Sequence, residues 1–430
     1  MSFYQPIALS RLSSGSLRLP FSSAEESIAE QRFSLTAAAA GFLFSFRAVL
    51  ALIAARWLNW GSEPGVIAGV LVELVLLLLV LFQMVGPVAR STSWIYRLPS
   101  VRWVLFFLAF SVCSLAWSGT VSPLASAMYW GALAADVAIV LLLFRSQAVE
   151  GVAHSMMKGY IASSILLAGV AWLLPAASDL RLGDLEYFNT NQIGNLCAIG
   201  VFLAQFLASR KDGQWRISTI FLALTVVRSL SKTTLIAFVV SQLVMLLQNN
   251  SMTRAKKAGM IAVALLLMAA FGGLFSSYYD VYSNTGNQAQ TLTGRTAIWI
   301  YCLDEGMEKP WLGNGMDSMW KVAPPFGSDL FEARHAENEI LQQFFAYGAV
   351  GIAMLIGIYW TLYRSIRRLP RGAARAVLNG ILLYILIRGV AEAEPFDLLL
   401  PLWSIVLISS YITPLARSLK RHGNEFASAT

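Results

Sequence analysis

Apolar residues occur along this chain in long runs, each closed by a polar, glycine or proline break, and not in the alternating or half-apolar patterns of a soluble domain. A membrane span needs roughly 20 apolar residues. On that rule the pattern predicts about 12 helices, near residues 37–58, 64–84, 101–117, 124–144, 154–174, 191–209, 216–230, 232–248, 257–275, 339–363, 376–393 and 397–415. Only Arg228-Ser229-Leu230-Ser231-Lys232 separates the seventh from the eighth. One polar stretch, from Ser276 to Asn338, breaks the series. It has a short amphipathic run, glycine turns and clustered titratable residues, so chemistry is expected there.

Composition agrees with the pattern. The chain has 430 residues, 57% hydrophobic and 13% charged, with a mean hydropathy of +0.61. A soluble domain carries roughly twice that charged fraction. The expected fold class is therefore an all-α polytopic integral membrane protein. Lys and Arg collect at Arg90/Arg97/Arg102, Arg254/Lys256/Lys257 and Arg364/Arg367/Arg368/Arg371/Arg375, which places those loops and both termini in the cytoplasm and 276–338 outside. The expected organisation is a cytoplasmic tail (1–36), helices one to nine (37–275), an external catalytic loop with short amphipathic helices (276–338), helices ten to twelve (339–415) and a second tail (416–430).

A net charge of +8 and a pI near 9.4 follow from this topology and from contact with anionic lipid, and are no sign of nucleic acid. The first apolar run is long enough to stay as an anchor and not be cleaved as a signal. Cys113 and Cys197 fall in spans and Cys302 in the loop, which gives no disulfide framework. His154, His335 and His422 lie far apart, and no glycine-rich phosphate loop is present. No metal or other cofactor is expected.

Ionisable residues inside spans are costly unless paired or hydrated. Arg47 and Glu73 lie at similar depth on neighbouring helices and are expected to pair, with Asp136 as an alternative partner. Arg228 and Lys232 fall at an external helix end, as do Arg388, Glu392 and Glu394. Any one of these cations would be explained by snorkelling to the interface. As a set they suggest an anion site at headgroup depth.

Within the loop, Thr293 or Gly294 is expected to cap a helix through Ala297, Ile298, Tyr301 and Cys302. Arg295 then lies in the first turn, where free N–H groups favour anions, so it makes sense if both share a ligand such as phosphate. Lys309-Pro310-Trp311-Leu312-Gly313-Asn314-Gly315 reads as a helix stop and glycine turn. Trp311 and Trp320 would anchor the interface or stack on sugar. His335, Asn338 and Glu339 have the three- and four-residue spacing of one helical face. His335 oriented by Glu339 is one candidate base and Glu337 is its rival. An acidic, solvated helix start would account for the same residues.

These fragments in this order resemble the O-antigen ligase and bacterial polysaccharide polymerase superfamily. The resemblance runs from Asn189-Thr190-Asn191-Gln192-Ile193-Gly194-Asn195 through Arg228-Ser229-Leu230-Ser231-Lys232-Thr233-Thr234, Gly294-Arg295 with Trp299, and Pro310-Trp311-Leu312-Gly313-Asn314-Gly315 to Asn338, Gly348 and Gly351. It implies a metal-independent, inverting glycosyltransferase in the bacterial inner membrane. The donor would be an undecaprenyl-diphosphate-linked oligosaccharide and the acceptor a glycan or the lipid A core. Arg228 and Arg295 match the family's diphosphate-binding arginines, with Lys232, Asn338 and Arg388 as further substrate-binding candidates. Glu337 stands where ligases typically have His, and the glycine pattern after Gly351 departs from the ligase type, so the sequence leans to a polymerase. The alternatives are a lipopolysaccharide O-antigen ligase proper, a 12-helix secondary transporter, or a glycan flippase.

Overall fold

A computed structural model describes residues 33–58, 62–83, 92–175, 180–183, 188–209, 215–249, 252–284, 295–326 and 331–428. These residues are helical with irregular connections, and among them no strand forms; Phe326 and Phe331 make an isolated bridge. The helices are α1 (Leu35–Leu52), α2 (Ser62–Gln83), α3 (Pro99–Ser114), α4 (Pro123–Ser146), α5 (Val149–Leu173), α6 (Thr190–Ser209) and α7 (Trp215–Ser229). They continue with α8 (Lys232–Gln248), α9 (Arg254–Ala270), α10 (Gly272–Asn284), α11 (Arg295–Glu308), α12 (Glu339–Ile366), α13 (Ala373–Arg388) and α14 (Leu402–Ser428). Every apolar run read from the sequence is a helix. By length and composition α1, α4, α5, α6 and α12 qualify to cross a membrane, while α2, α3, α8 and α14 carry shorter apolar stretches.

One hydrophobic core joins α1 to α8 with α12, α13 and α14. Its closest pairing is α1 on α5. A Cβ at Gly41 would collide with the Met156 carbonyl, and one at Gly159 with the Ala38 carbonyl. Small residues let two apolar helices meet backbone to backbone where water supplies no driving force between them. On the outside, α2 presents Leu71, Leu74, Leu78 and Phe82, all exposed, as expected of a surface that faces hydrocarbon.

Arg47 lies between two partly or fully buried helices and joins both expected carboxylates. Its Nη1 is 3.3 Å from Glu73 Oε2 and its Nη2 is 2.6 Å from Asp136 Oδ2. Asp136 is thus a second partner and not a substitute for Glu73.

Three boundaries differ from the sequence expectation, each for a local reason. The ninth run ends at Ala270, but after Phe271 the chain is helical again to Asn284, beyond the expected loop boundary at 276. At the other end of the site, α13 stops at Arg388 and α14 starts only at Leu402, after Pro401. Residues 389–401, expected as the flanks of two spans, form an irregular segment that folds back over the helix ends. There Glu339 N–H donates to Gly389 O (2.8 Å) and Leu399 N–H to Glu339 Oε1 (2.9 Å).

Between α7 and α8, Leu230 takes φ 57. The two-residue link diverges instead of making a hairpin, so that α7 packs on α6 and α8 on α13.

The glycine turn after α11 docks into a break in α12. At the break Gly348 has φ 60, and a Cβ there would meet the backbone of Pro310 and Trp311. The exposed backbone groups pair across the gap: Ala349 N–H with Pro310 O (2.7 Å), Asn314 N–H with Phe345 O (2.9 Å) and Gly315 N–H with Ala346 O (2.8 Å). The loop motif and the broken helix complete each other's hydrogen bonding.

Candidate functional site

Helix ends bring the site together. The C-termini of α7 and α13 and the N-termini of α8, α11 and α12 lie at one end of the bundle, carrying Arg228, Arg388, Lys232, Arg295 and the Asn338 cap respectively. The basic run Arg364–Arg375 spans the opposite ends of α12 and α13.

Two carboxylates share one arginine at the centre. Arg295 Nη2 is 2.9 Å from Glu337 Oε2 and 3.0 Å from Glu392 Oε1. Glu392 is 4% exposed and is the hub of the cluster. Besides Arg295, its Oε1 accepts from Asn191 Nδ2 (2.8 Å) and Thr233 Oγ1 (3.3 Å), and its Oε2 lies 3.8 Å from Arg388 Nη2. Asn191 is held in turn by Ser231 Oγ, which donates to its Oδ1 at 2.7 Å.

Arg388 itself is 2% exposed. Its Nη2 donates to Asn191 O at 3.4 Å, while Nε and Nη1 have no hydrogen-bond partner among the described residues. Leaving a buried donor unmet costs about 1–3 kcal/mol, so those N–H groups have hydrogen-bonding capacity to spare.

The remaining cations lie next in line. Lys232 Nζ lies over the Tyr278 ring, 5.4 Å from its centre, within reach of the charges of Arg181 and Arg295. Arg228 Nη1 donates to Leu180 O at 2.8 Å. The structure therefore brings Arg295, Lys232 and Arg388 together with Glu337 and His335, and sets Arg228 beside the Leu180-Arg181 segment.

His335 and Glu337 are not on a helical face. Asn338 is the N-cap of α12, its Oδ1 accepting from Leu341 N–H at 3.0 Å, and the chain before it is not helical. Glu337 has φ 52. The pairing of His335 with Glu339 expected from the spacing does not form, because Glu339 accepts from Tyr359 Oη (2.7 Å) and Leu399 N–H inside the bundle. The carboxylate beside His335 is Glu337, with Oε1 3.8 Å from Nδ1.

Nδ1 also accepts the Glu337 N–H at 3.2 Å. With that nitrogen accepting, a neutral ring carries its proton on Nε2. Burial lowers the His335 pKa, against the pull of Glu394 and Glu392. The same burial, with Glu392 nearby, pushes Glu337 up to about 7, while Arg295 and Arg388 restrain it. A carboxylate poised near neutrality is suited to take a proton. Asn338 uses both ends of its amide structurally, its Nδ2 donating to Val390 O at 2.8 Å. Trp311 is exposed, and Trp320 lies under Lys321 and Arg334, at 4.6 and 4.7 Å from its ring centre. The proposed caps Thr293 and Gly294 fall outside the described residues.

Residues 217–356, from α7 to α12, match the family model described as O-antigen ligase. Over that segment the chain is similar to the O-antigen ligase family. The matched segment contains Arg228, Lys232, Arg295, His335, Glu337 and Asn338, whereas Arg388 and Glu392 come from beyond it. A curated O-antigen ligase of Pseudomonas aeruginosa is 27% identical over 141 residues, 33% of this chain and 33% of the relative. The match thus spans about a third of the length of that relative. A solved chain described under structural coordination of polymerization and crosslinking by a peptidoglycan synthase complex covers 74% of this chain and 97% of its own length. Its identity is 15% and its TM-score 0.42, too low to bear on fold or function.

Sequence reasoning noted Glu392 only as a charge at a span end. The available signal was the four-residue spacing of Arg388 and Glu392 in an otherwise apolar stretch. Asn191 and Thr233 likewise lay inside quoted motifs without an assigned role.

Proposed function

We propose that this protein is a membrane glycosyltransferase of the O-antigen ligase/polymerase type. It would act on undecaprenyl-diphosphate-linked glycan at the outer face of the bacterial inner membrane. The observation that carries this reading is the Arg295–Glu337 pair, 2.9 Å apart within the matched segment and flanked by Lys232. It sets a cation for a leaving diphosphate beside a carboxylate able to take a proton.

In the proposed step Glu337 removes the proton of an acceptor hydroxyl, whose oxygen attacks the anomeric carbon of the donor. The carbon–oxygen bond to phosphate breaks, its electron pair stays on the diphosphate, and the anomeric centre inverts. Arg295, with Arg228, Lys232 and Arg388 behind it, would neutralise the charge developing on the leaving group, a role that a divalent metal serves elsewhere. His335 would steady Glu337.

Two acceptors fit this chemistry. Glu337 in place of a ligase histidine favours a growing glycan, hence a polymerase of capsule or exopolysaccharide. The similarity to a curated O-antigen ligase favours the lipid A core. Surface glycan from a deletion strain separates them. Lost chain length supports the polymerase and lost attachment to lipid A supports the ligase. Lipid-linked units trapped inside the cell would instead indicate a flippase.

A further inference from the structure

We propose that Glu392 is an internal counter-anion that holds the diphosphate site closed until the donor displaces it. This rests on the reading above that the cluster takes a polyprenyl diphosphate. Glu392 is a positioning residue in this account: it acts through Arg295 and Arg388 and not on the reacting atoms.

Three observations point the same way. Glu392 occupies the place an anion would take, since its two oxygens face Arg295 Nη2 (3.0 Å), Arg388 Nη2 (3.8 Å), Asn191 Nδ2 (2.8 Å) and Thr233 Oγ1 (3.3 Å). Two cations and two neutral donors converging on a single group make the kind of cradle that phosphate oxygens also fit. Second, Arg388 is buried with Nε and Nη1 unpartnered among the described residues. A carboxylate with two oxygens leaves donors over that a diphosphate with more oxygens could meet. Third, Glu392 sits in the irregular 389–401 segment, tied to α12 through Gly389 O, Val390 O and Leu399 N–H. A carboxylate on an irregular segment can swing away without unwinding a helix.

The exchange has a consequence for turnover. Arg295 uses the same Nη2 for Glu337 and Glu392. When it turns to an incoming diphosphate, Glu337 loses its counter-cation and becomes the stronger base. After transfer, Glu392 returns to Arg295 and Arg388 and competes the product diphosphate away. The carboxylate therefore weakens diphosphate binding and speeds release.

Titration of the purified full chain with farnesyl diphosphate, alongside steady-state transfer from a lipid-linked donor, tests this. Glu392→Gln keeps the acceptor oxygen for Asn191 and Thr233 but removes the charge. It should bind farnesyl diphosphate at least about tenfold tighter, with both KM and kcat for transfer lowered, while Glu392→Asp restores wild-type affinity. A merely structural role would give weaker binding or none, never a gain. If Glu392→Gln does not yield folded protein, Glu392→Ala decides, because it removes the carboxylate, leaves every donor of the cradle in place and should tighten binding likewise. Affinity equal to or weaker than wild type in the folded variant overturns the proposal. The outcome of Arg295→Ala separates the two readings. If that variant loses affinity while Glu392→Gln gains none, only the role of Glu392 fails; if it binds like wild type, the diphosphate site itself fails.

Discussion

Arg295, the first residue of α11, meets Glu337 from the segment before α12 at 2.9 Å. The chain between them contains α11 and the glycine turn that docks into the break of α12, so the pair closes a loop whose middle is already fixed to the bundle. An arginine at a helix start is explained neither by the dipole nor by capping. Here it serves as the partner of two carboxylates, the half-buried Glu337 and the buried Glu392. Lysine in its place keeps the charge but presents one nitrogen instead of a planar fork. Arg295→Lys should therefore lose most donor binding, and Arg295→Ala all of it, as measured by farnesyl diphosphate titration of the purified variants.

The accepting nitrogen of His335 is occupied by the Glu337 N–H, which under the proposed mechanism leaves Glu337 as the base. Glu337→Gln should lower kcat by roughly 10²–10⁴-fold with donor binding intact, and His335→Ala should be milder. The reverse order in a transfer assay would make histidine the base.

A base with a pKa of about 7 makes transfer fall as pH drops through 7, and the Glu337→Gln variant should lack that limb in its residual activity. Stability responds with the opposite sign. The folded value lies above the usual 4.5, so the folded state holds the proton longer than the unfolded chain. The stabilising effect is complete below pH 4.5 and is lost as pH rises through about 7. Thermal unfolding between those pH values should be flatter in Glu337→Gln than in wild type.

Arg47 is shared by two buried carboxylates within the bundle. Removing it strands both, and breaking a buried pair costs about 3–5 kcal/mol. Arg47→Met should express poorly and melt early, while Arg47→Met/Glu73→Gln/Asp136→Asn should recover most of the loss. Equal damage in the single and triple variants, read by melting in detergent, would mean that the ion pairs do not matter.

Gly348 holds φ 60 against the backbone of the docked turn. Alanine there combines backbone strain of about 1–3 kcal/mol with a collision that neither segment relieves by moving a side chain. Gly348→Ala should lower the melting temperature and detach the 309–319 segment, seen as faster proteolysis there. Unchanged proteolysis would separate the docking from the helix break.

Long apolar runs are strong signals, and each became a helix because a chain in lipid must satisfy its backbone internally. The arginines were legible as cations with no other explanation at helix ends. Glu392 was not, because residues 389–401 have no periodicity that fixes where a side chain lands, and the runs on either side made them look like span ends. The error at His335 is more instructive. Asn338 is a preferred N-cap residue just ahead of an apolar run, and that signal already caps the helix three residues after His335. The three-residue count from His335 to Asn338 had no helix beneath it.

The central claim, that Arg295 and Glu337 transfer glycan from a polyprenyl diphosphate, is tested most directly in liposomes holding the purified protein and a radiolabelled lipid-linked oligosaccharide. Wild type should move label onto acceptor and release polyprenyl diphosphate in equal amount, and Glu337→Gln should bind the donor and release nothing. Transfer by Glu337→Gln at the wild-type rate, or wild-type protein that carries the intact lipid-linked donor across the bilayer without cleaving it, would contradict the account.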